Sequence, residues 1–367
     1  MSEAKGPRIE EVRVSAYRIP TDYPEADGTI AWDSTTLVLV EIEAGGRQGL
    51  GFGYADRATA EFVRDVLSPI VKGSDAMAIT GIWAEMVRQV RNHGRPGVAS
   101  MAISAVDVAL WDLKARLLDL PLFVLLGRVR EAIPVYGSGG FTSYPNEKLK
   151  EQLGNWVSSG IGMVKMKVGT HPEEDVERVR AAKEAVGDEA ELFVDANGAY
   201  SRKQALEFAE TFKREFGVKW FEEPVSSDDL DGLRLMRDRA PAGMAITAGE
   251  YGYDLPYFRR MLEAGAVDVL MADGTRCGGI TGFLHVDGLC QAFGLPLSAH
   301  TAPSVHAHPC CAALRAIHLE YFHDHARIEH MLFDGALTPE NGLLHPDPSR
   351  AGLGLEFKRP DATPYEI

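Results

Sequence analysis

Cysteine is scarce in this chain of 367 residues, and the first two thirds of the sequence contain none. The four cysteines are Cys277, Cys290, Cys310 and Cys311, and no two of them form a C-x-x-C pair. Neither a disulfide framework nor a zinc site built on paired cysteines fits this pattern. The pattern favours reduced, buried thiols, and we therefore expect a cytoplasmic protein.

Long apolar runs and an excess of positive charge are also missing. No segment reaches the roughly 20 apolar residues of a membrane span, and residues 1–8 lack the apolar stretch of a secretory signal. The formal net charge is −15 at pH 7. This charge argues against nucleic acid and against an anionic membrane as the main partner. It does not argue against a small anionic substrate, because the local charge of a pocket can oppose the global sign.

The length of the chain suits a barrel of about 250 residues together with a smaller domain. Residues 1–130 mix two kinds of pattern, with strands predicted at 12–18 and 35–43 and helices at 60–71, 82–91 and 99–118. Residues 20–34, between the two strands, are polar and acidic and carry Trp32 near their end. A loop of this length is typical of a lid over a site.

From about residue 133, short β-type runs alternate with helical segments, which predicts a parallel (β/α) barrel. The predicted strands are 133–137, 162–168, 191–196, 218–223, 245–249, 267–272, 295–299 and 317–321. The predicted helices are 146–158, 172–186, 201–216, 228–239, 254–264, 279–293 and 303–315. The fold class is therefore α/β, a TIM-type barrel in residues 131–335. An α+β capping domain in residues 1–130 would be completed by a C-terminal tail, residues 336–367, that returns to it.

Ionisable residues stand at the ends of seven successive predicted strands. In chain order they are Lys165 with Lys167, Asp195 with Asn197 two residues on, Glu222, Glu250, Asp273, His300 and Glu320. A single acidic residue after a strand is more often a helix cap than a functional group. The ordered series is different, because the carboxyl ends of barrel strands meet at one mouth, where active sites of this fold lie.

The residue types indicate the chemistry of this mouth. Asp195, Glu222 and Glu250 are hard oxygen donors of the kind that Mg²⁺ prefers. Lys165 and Lys167 alternate along one strand, so both point into the barrel, where two ammonium groups close together and near a metal should depress each other's pKa.

A second proton-transfer group is expected across the barrel. His300 follows strand seven and Asp273 follows strand six, so that the carboxylate can bond one imidazole nitrogen and leave the other free. Lys167 and His300 would then face a metal-bound substrate from opposite sides.

The strand-end motifs together resemble a known family. K-x-K, D-x-N, W-x-E-E-P, A-G-E, an Asp before a Gly-Gly helix start, and S-x-H are similar to the mandelate racemase subgroup of the enolase superfamily. Residues 102–114 resemble the family's capping-domain helix, and residues 49–54 resemble its glycine loop at the mouth. Related sequences often have Glu where Tyr54 stands.

The resemblance implies a role for each residue. Asp195, Glu222 and Glu250 would bind Mg²⁺. Lys165 would contact the substrate carboxylate and lower the pKa of Lys167, which would be one base, while His300, paired with Asp273, would be the other acid or base. Glu320 would hydrogen-bond the substrate carboxylate, and the substrate would also contact Asn197, Tyr54 and Trp32. The resemblance also implies a small carboxylate substrate and a homo-oligomer, from dimer to octamer, with paired capping domains.

Two bases on opposite faces permit two reactions through an enediolate. The polar lid favours dehydration of an acid sugar, an aldonate or aldarate, to a 2-keto-3-deoxy acid. The alternative is a racemase or epimerase of an α-hydroxy acid. Cycloisomerisation and dipeptide epimerisation are disfavoured, because relatives with those activities usually carry lysine where this chain has Asp273. A non-catalytic barrel is the remote alternative, since the full set of functional groups is present.

Several other motifs are predicted to be structural. The glycines of residues 49–53 suggest a tight turn at the mouth, and His306-Ala-His308 and His323-Asp-His325 have no third ligand nearby in the sequence. Arg91, His93 and Arg95 are interpreted as a solvated turn.

Overall fold

The computed structural model describes residues 6–367. Residues 1–5, on which part of the prediction about a secretory signal rests, lie outside the described residues. Among the described residues, no helix is both long and apolar enough to cross a membrane.

The chain begins with an antiparallel sheet of three strands in the order β1-β2-β3. These strands are β1 (Ile9–Ala26), β2 (Ala31–Ala44) and β3 (Arg47–Tyr54). Helices follow, namely α1 (Arg57–Phe62), α2 (Ser68–Val71), α3 (Ile79–Gln89), α4 (Val98–Leu117) and α5 (Leu122–Leu125), with a π-helical turn at Val63–Leu67 and a 3₁₀ turn at Val90–Asn92. Helix α4 is buried over most of its surface, as its apolar sequence predicts.

Eight parallel strands then alternate with helices, and the last strand pairs with the first to close a barrel. The strands are β4 (Ile133–Gly139), β5 (Met163–Lys167), β6 (Glu191–Asp195), β7 (Trp220–Glu222), β8 (Ala245–Ala248), β9 (Val269–Ala272), β10 (Leu297–Ala299) and β11 (Ala316–Phe322). The helices are α6 (Asn146–Ser158), α7 (Pro172–Val186), α8 (Arg202–Phe216), α9 (Leu230–Arg239), α10 (Leu255–Glu263), α11 (Gly279–Phe293), α12 (Pro303–Ala312) and α13 (His323–Leu332). The predicted TIM-type barrel is confirmed.

The register of the barrel strands brings their charged ends level with one another. Lys167 pairs with Asp195 between β5 and β6, and Asp195 pairs with Glu222 between β6 and β7. Beneath these residues aromatic side chains fill the interior, where the rings of Phe193 and Trp220 stack with centroids 5.3 Å apart. The charged groups therefore rest on a packed apolar floor.

The C-terminal segment contacts both parts of the molecule. It contains the short strands β12 (Phe333–Asp334), β13 (Leu343–Leu344) and β14 (Glu356–Phe357), helix α14 (Arg359–Ala362) and a 3₁₀ turn at Thr363–Tyr365. Strand β13 pairs with β4 of the barrel. The last residue, Ile367, donates its backbone N–H to Ala16 of β1 at 3.0 Å. The tail thus returns to the capping sheet.

The predicted lid is a hairpin and not a loop. Strand β1 continues to Ala26 and β2 begins at Ala31, with a register shift between Pro20 and Glu25. Asp27 Oδ1 accepts hydrogen bonds from the backbone of Thr29 at 2.6 Å and of Ile30 at 2.8 Å, which closes the turn. The loop prediction for residues 20–34 was wrong. It rested on their polar side chains, whereas the backbone of this segment forms the hydrogen bonds of paired strands.

The hairpin is held against the barrel by polar contacts in the second half of β1, close to its turn. His323 Nε2 lies 3.1 Å from Asp22 Oδ2, so an imidazole of α13 meets a carboxylate of β1. Thr142, after β4, donates its backbone N–H to Ala26 at 2.8 Å. The hairpin therefore has a defined position over the carboxyl ends of the strands.

The glycines of residues 49–53 lie within β3, so the predicted tight turn at the mouth was wrong. A Cβ on Gly49 would overlap the backbone nitrogen of Leu113, and one on Gly51 would overlap that of Ala109. Both neighbours belong to α4, which packs directly on the backbone of β3. Glycine is required at these two positions by close approach of the helix.

We expect Gly51→Ala to destabilise the fold by about 1–3 kcal/mol, because the added methyl must push α4 away from β3. The free energy of unfolding would be measured by urea denaturation followed by circular dichroism. Gly53→Ala is the matched control, since its Cβ would lie 3.4 Å from the Thr275 Cβ, an ordinary contact. An equal loss in both variants would contradict the packing explanation.

Candidate active site

Three carboxylates from successive strand ends form the centre of the site. Asp195 ends β6, Glu222 ends β7 and Glu250 follows β8. All three are buried, and one oxygen from each lies within 4.8 Å of the others. Trp220 Nε1 donates to Glu222 Oε2 at 3.0 Å, whereas the buried Glu222 Oε1 has no hydrogen-bond partner among the described residues.

This group fits a hard divalent cation such as Mg²⁺. Three oxygen donors of negative charge converge, and an unpartnered oxygen of Glu222 is available as a ligand. The buried amide oxygen of Asn197 also lacks a hydrogen-bond partner in the part of the chain that the structure describes. Buried polar atoms are seldom left without a partner, so these orphan oxygens indicate a bound cation or its ligands.

The two lysines of β5 lie directly against these carboxylates. Lys165 Nζ is 2.7 Å from Glu222 Oε2 and 2.9 Å from Glu320 Oε1, and its side chain is completely buried. Lys167 Nζ is 2.5 Å from Asp195 Oδ2. Both side chains point into the barrel, as the alternation along the strand predicts.

In the polypeptide alone, the pKa of Lys167 is raised and not lowered. Burial alone lowers its pKa and Lys165 lowers it further, but Asp195, Glu250 and Glu222 raise it, and the net pKa is raised. For Lys165, burial is likewise outweighed by Glu222 and Glu320, and its pKa is raised well above the usual value. In the polypeptide alone the surrounding carboxylates outweigh the two ammonium groups, so the lowered pKa values expected beside a bound metal stay a prediction.

His300 and Asp273 form a hydrogen-bonded pair after β10 and β9. His300 Nδ1 lies 2.9 Å from Asp273 Oδ2, while Asp273 Oδ1 accepts from the backbone N–H and the hydroxyl of Thr275, both at 2.7 Å. The other imidazole nitrogen, Nε2, faces Glu250 Oε2 at 3.3 Å. Asp273 thereby orients the ring so that Nε2 points to the carboxylate centre.

The charge state of His300 is set by its carboxylate neighbours. Burial lowers the pKa of the imidazole, but Glu250, Glu320 and Asp273 raise it to about 10. The ring is therefore protonated at neutral pH and can donate a proton from Nε2. Asp273 has a lowered pKa despite burial, because His300 and Arg276 stabilise its charge.

Glu320 lies between the lysine and histidine sides of the site. Its Oε1 contacts Lys165, and its Oε2 accepts the backbone N–H of Thr301 at 3.2 Å. Burial raises the pKa of Glu320, yet Lys165 and His300 lower it to about 2. The residue is therefore ionised in the ligand-free protein.

A cavity of about 280 Å³ opens above these groups. Its lower wall includes Lys167, Asn197, Glu250 and His300. Its upper wall comes from the β1–β2 hairpin and consists of Asp27, Ile30, Trp32, Ser34 and Thr35. The hairpin therefore covers the mouth in the way expected of a lid.

The structure separates the two aromatic residues that were predicted to contact substrate. Trp32 lines the cavity, with its Nε1 donating to Glu25 Oε2 at 2.8 Å. Tyr54 lies behind the wall, where its ring stacks on His325 with centroids 3.4 Å apart. Its hydroxyl bonds the backbone oxygen of His325 at 3.2 Å. Tyr54 can influence a ligand only through His325.

Five residues of the cavity wall outside the β1–β2 hairpin were missed by sequence reasoning, namely Tyr251, Arg276, Thr301, Phe322 and His325. Arg276 Nη1 lies 3.2 Å from the backbone oxygen of Glu250, and its Nε is 3.5 Å from Asp273 Oδ2. The position of Arg276, three residues after the predicted site residue Asp273, could have identified it from the sequence. His325 had been grouped with His323, but the two point to different places: His323 bonds Asp22, and His325 lines the cavity.

His306 and His308 have structural contacts, as the sequence favours. His306 accepts a hydrogen bond from the backbone of Gly274 at 2.6 Å and lies 2.8 Å from the Thr301 oxygen. His308 lies 3.1 Å from the backbone oxygen of Leu353. His306 thereby ties together the two loops that carry Asp273 and His300.

Comparisons with known proteins agree with this geometry. The family model described as the mandelate racemase/muconate lactonizing enzyme N-terminal domain matches residues 10–127, and the model described as enolase C-terminal domain-like matches residues 148–362, more than half of the chain. The chain belongs to the mandelate racemase and muconate lactonizing enzyme family. This membership confirms the resemblance inferred from the strand-end motifs.

Curated members of this family cover nearly the whole chain. A 3,6-anhydro-alpha-L-galactonate cycloisomerase of Streptomyces coelicolor is 34% identical over 96% of this chain and 98% of its own length. An L-talarate/galactarate dehydratase of Salmonella typhimurium is 32% identical over 95% of this chain and 89% of its own length.

Solved structures of the family superpose closely. A mandelate racemase/muconate lactonizing enzyme-like protein from Rubrobacter xylanophilus has a TM-score of 0.97 and 60% identity, covering 98% of this chain and 100% of its own. The Salmonella typhimurium dehydratase with Mg and L-lyxarohydroxamate has a TM-score of 0.90 and 30% identity, covering 100% of this chain and 95% of its own.

We expect Glu222→Gln to weaken Mg²⁺ binding by at least about 100-fold, because an amide removes one negative charge from the carboxylate set. Isothermal titration calorimetry with MgCl₂ measures this effect directly. Glu329→Gln is the control, since Glu329 is a buried carboxylate outside the group of three. Unchanged affinity in Glu222→Gln would place the cation elsewhere.

Proposed function

We propose that this protein is a Mg²⁺-dependent acid-sugar dehydratase. It would remove the proton next to a carboxylate and expel the hydroxyl at C3, giving a 2-keto-3-deoxy acid. One observation carries the proposal: Lys167, whose ammonium is paired with Asp195, and His300 approach the same buried carboxylate centre from different strand ends.

The metal site would consist of Asp195, Glu222 and Glu250. When bound there, Mg²⁺ supplies positive charge that stabilises the negative charge developing on the substrate carboxylate. Once Asp195, Glu222 and Glu250 held the cation, they would raise the pKa of Lys167 less strongly, and Lys167 would release its proton more readily. This makes Lys167 the candidate base, although its pKa is raised in the polypeptide alone.

The substrate carboxylate would be held between Lys165 and Glu320. The Lys165 ammonium already lies 2.9 Å from Glu320 Oε1, so the substrate carboxylate would be a second carboxylate next to the same ammonium group. The added negative charge would raise the pKa of Glu320, which could then donate a hydrogen bond to the substrate carboxylate. Asn197 would add a polar contact.

The reaction then needs two proton transfers by side chains and a tautomerisation. Lys167, in its neutral form, takes the proton from C2, and the electron pair of that C–H bond forms the enediolate. The C3–O bond then breaks as His300 Nε2 gives its proton to the departing hydroxyl, which leaves as water. The resulting enol becomes the ketone by gaining a proton at C3 and losing the proton of its C2 hydroxyl. The proton held by Lys167 is thereby returned and the proton lost by His300 is replaced, directly or through solvent. Asp273 keeps His300 oriented and favours its protonated form before this step.

The names of related proteins support this chemistry and leave a second candidate. In a 3,6-anhydro sugar acid, the oxygen on C3 belongs to a ring, so the same C3–O cleavage isomerises the substrate and releases no water. The 34% identical cycloisomerase therefore fits the same two proton transfers. Racemisation is the other alternative, in which His300 returns a proton to C2 from the opposite side.

We also propose the following organisation for the chain. The capping domain would span residues 1–130, the barrel residues 131–335 and the tail residues 336–367. The protein would work in the cytoplasm as a homo-oligomer with paired capping domains, in keeping with its reduced cysteines and its family.

Proton NMR in D₂O with Mg²⁺, over a panel of acid sugars and simple α-hydroxy acids, is the direct test of the proposed reaction. We expect signals of a 2-keto-3-deoxy acid for at least one acid sugar, because the enediolate can expel its C3 hydroxyl. The same sample with EDTA in place of Mg²⁺ is the control. Loss of the C2 proton signal without elimination would establish a racemase or epimerase instead.

Single substitutions should separate the two proton-transfer groups. We expect Lys167→Ala to lower both C2 proton exchange and elimination by about 10²–10⁴-fold, whereas His300→Asn should lower elimination by a similar factor and leave C2 exchange detectable. Both rates are read by NMR in D₂O.

His330→Asn is the matched histidine control, since His330 is exposed on α13 and lies 3.3 Å from the Tyr321 hydroxyl, away from the cavity lining. It should keep the parent activity. The reverse result would be C2 proton exchange that is retained in Lys167→Ala and lost in His300→Asn. It would make His300 the base and Lys167 the acid.

A further inference from the structure

The cavity has two chemically different ends. We propose that the substrate is a mono-acid sugar, with a hydroxymethyl or methyl group at the end of the chain far from the reacting carboxylate. This inference rests on the proposed dehydratase function. Sugars with a carboxylate at both ends would be selected against. The reason lies in the side chains that the β1–β2 hairpin places opposite the catalytic groups.

The position of the reacting carboxylate is fixed by the barrel. Lys165, Glu320 and the three-carboxylate centre lie together at the strand ends, beneath the cavity. The far carbon of an extended sugar acid must therefore point away from them, toward the hairpin. Its surroundings are the residues that line the cavity above the strand ends.

The wall at this far end combines the polar side chains of Asp27, Ser34 and Thr35 with an apolar group. Trp32 comes from β2, Ile30 from the turn, and Phe322 from the end of β11. The Trp32 ring meets Phe141 edge-on with centroids 5.6 Å apart, and Phe141 in turn meets Phe322 at 5.7 Å. Aromatic packing holds this wall in place, so it can contact a methyl or hydroxymethyl group with little rearrangement.

Among residues 6–367, no lysine or arginine lines the far end of the cavity as a counter-ion for a second carboxylate. Residues 20–35 contain no lysine or arginine, and one of their carboxylates, Asp27, lines the cavity. His325, the other ionisable group on this side, has a pKa well below its usual value because of burial and the charge of His300, and is neutral. A carboxylate placed here would lose water and meet like charge.

Arg276 does not supply the missing counter-ion. Its guanidinium is 3.5 Å from both Glu250 Oε1 and Asp273 Oδ2, and it donates to the backbone of Glu250. These contacts place it beside the metal carboxylates and the His300 pair, at the reacting end of the substrate. Its charge is balanced there by two buried carboxylates.

The test uses sugar acids that share every stereocentre and differ only at C6. For each hexose configuration, an aldonate, its 6-deoxy analogue and the corresponding aldarate would be compared by kcat/KM with Mg²⁺. We expect the aldonate or the 6-deoxy acid to exceed the aldarate by at least tenfold in every configuration that reacts. An aldarate that is equal or better would overturn the inference and leave the dehydratase proposal intact.

Calorimetric titration of the same acids into the Mg²⁺-loaded protein tests the preference without turnover. Tighter binding of the mono-acids supports the inference even if none of the acids loses water. The absence of water loss would count against the dehydratase proposal and not against the inference. Equal or tighter binding of the diacids overturns the inference.

Two substitutions should reverse the selectivity. Ile30→Arg adds a cation to the far wall, and Asp27→Asn removes its negative charge while keeping the oxygen that closes the turn. Each should raise the aldarate-to-aldonate ratio of kcat/KM, by about tenfold for Ile30→Arg. Leu314→Arg is the control, because Leu314 is 58% exposed and does not line the cavity. If neither hairpin variant moves the ratio, the far end lies elsewhere and the inference is overturned.

Discussion

Buried charge is the constraint on which the rest of this structure depends. Asp195, Glu222, Glu250 and Glu320 all lie within the barrel mouth and out of contact with bulk water. Such charges are tolerated only when opposite charges are held close to them. The barrel achieves this by aligning strand ends, so that each ammonium of β5 sits beside a carboxylate of the neighbouring strands. The remaining negative charge is what a divalent cation would neutralise.

Much of this arrangement could be predicted because it follows from periodicity and topology. The β/α alternation implies a closed parallel barrel, and a closed barrel brings every strand end to one rim. Asp273 and His300 could be paired for the same reason, since they follow adjacent strands. Their 2.9 Å contact needs no long insertion or special loop to form.

The features that could not be predicted depend on contacts between distant parts of the chain. Polar residues such as Asp22 suggested a loop, yet the hairpin is stabilised by His323, which is 301 positions away in the sequence. The glycines of β3 suggested a turn, because nothing local shows that α4 packs on them. The raised pKa of Lys167 in the polypeptide alone likewise depends on distant parts of the chain, since carboxylates from three other strand ends set its direction.

The division of the site between barrel and hairpin explains how one family can carry several activities. Names of relatives about 30–34% identical to this chain include dehydratases, a cycloisomerase and a racemase. All of these reactions can begin with removal of a proton next to a carboxylate, which is the task of the barrel groups. The fate of the enediolate depends on what stands at C3 and beyond, and that part of the substrate would meet the hairpin. Because the hairpin packs on the barrel through the Asp22 side chain and the Ala26 backbone, cavity-facing side chains such as Trp32 can change while the charge balance of the strand ends is preserved.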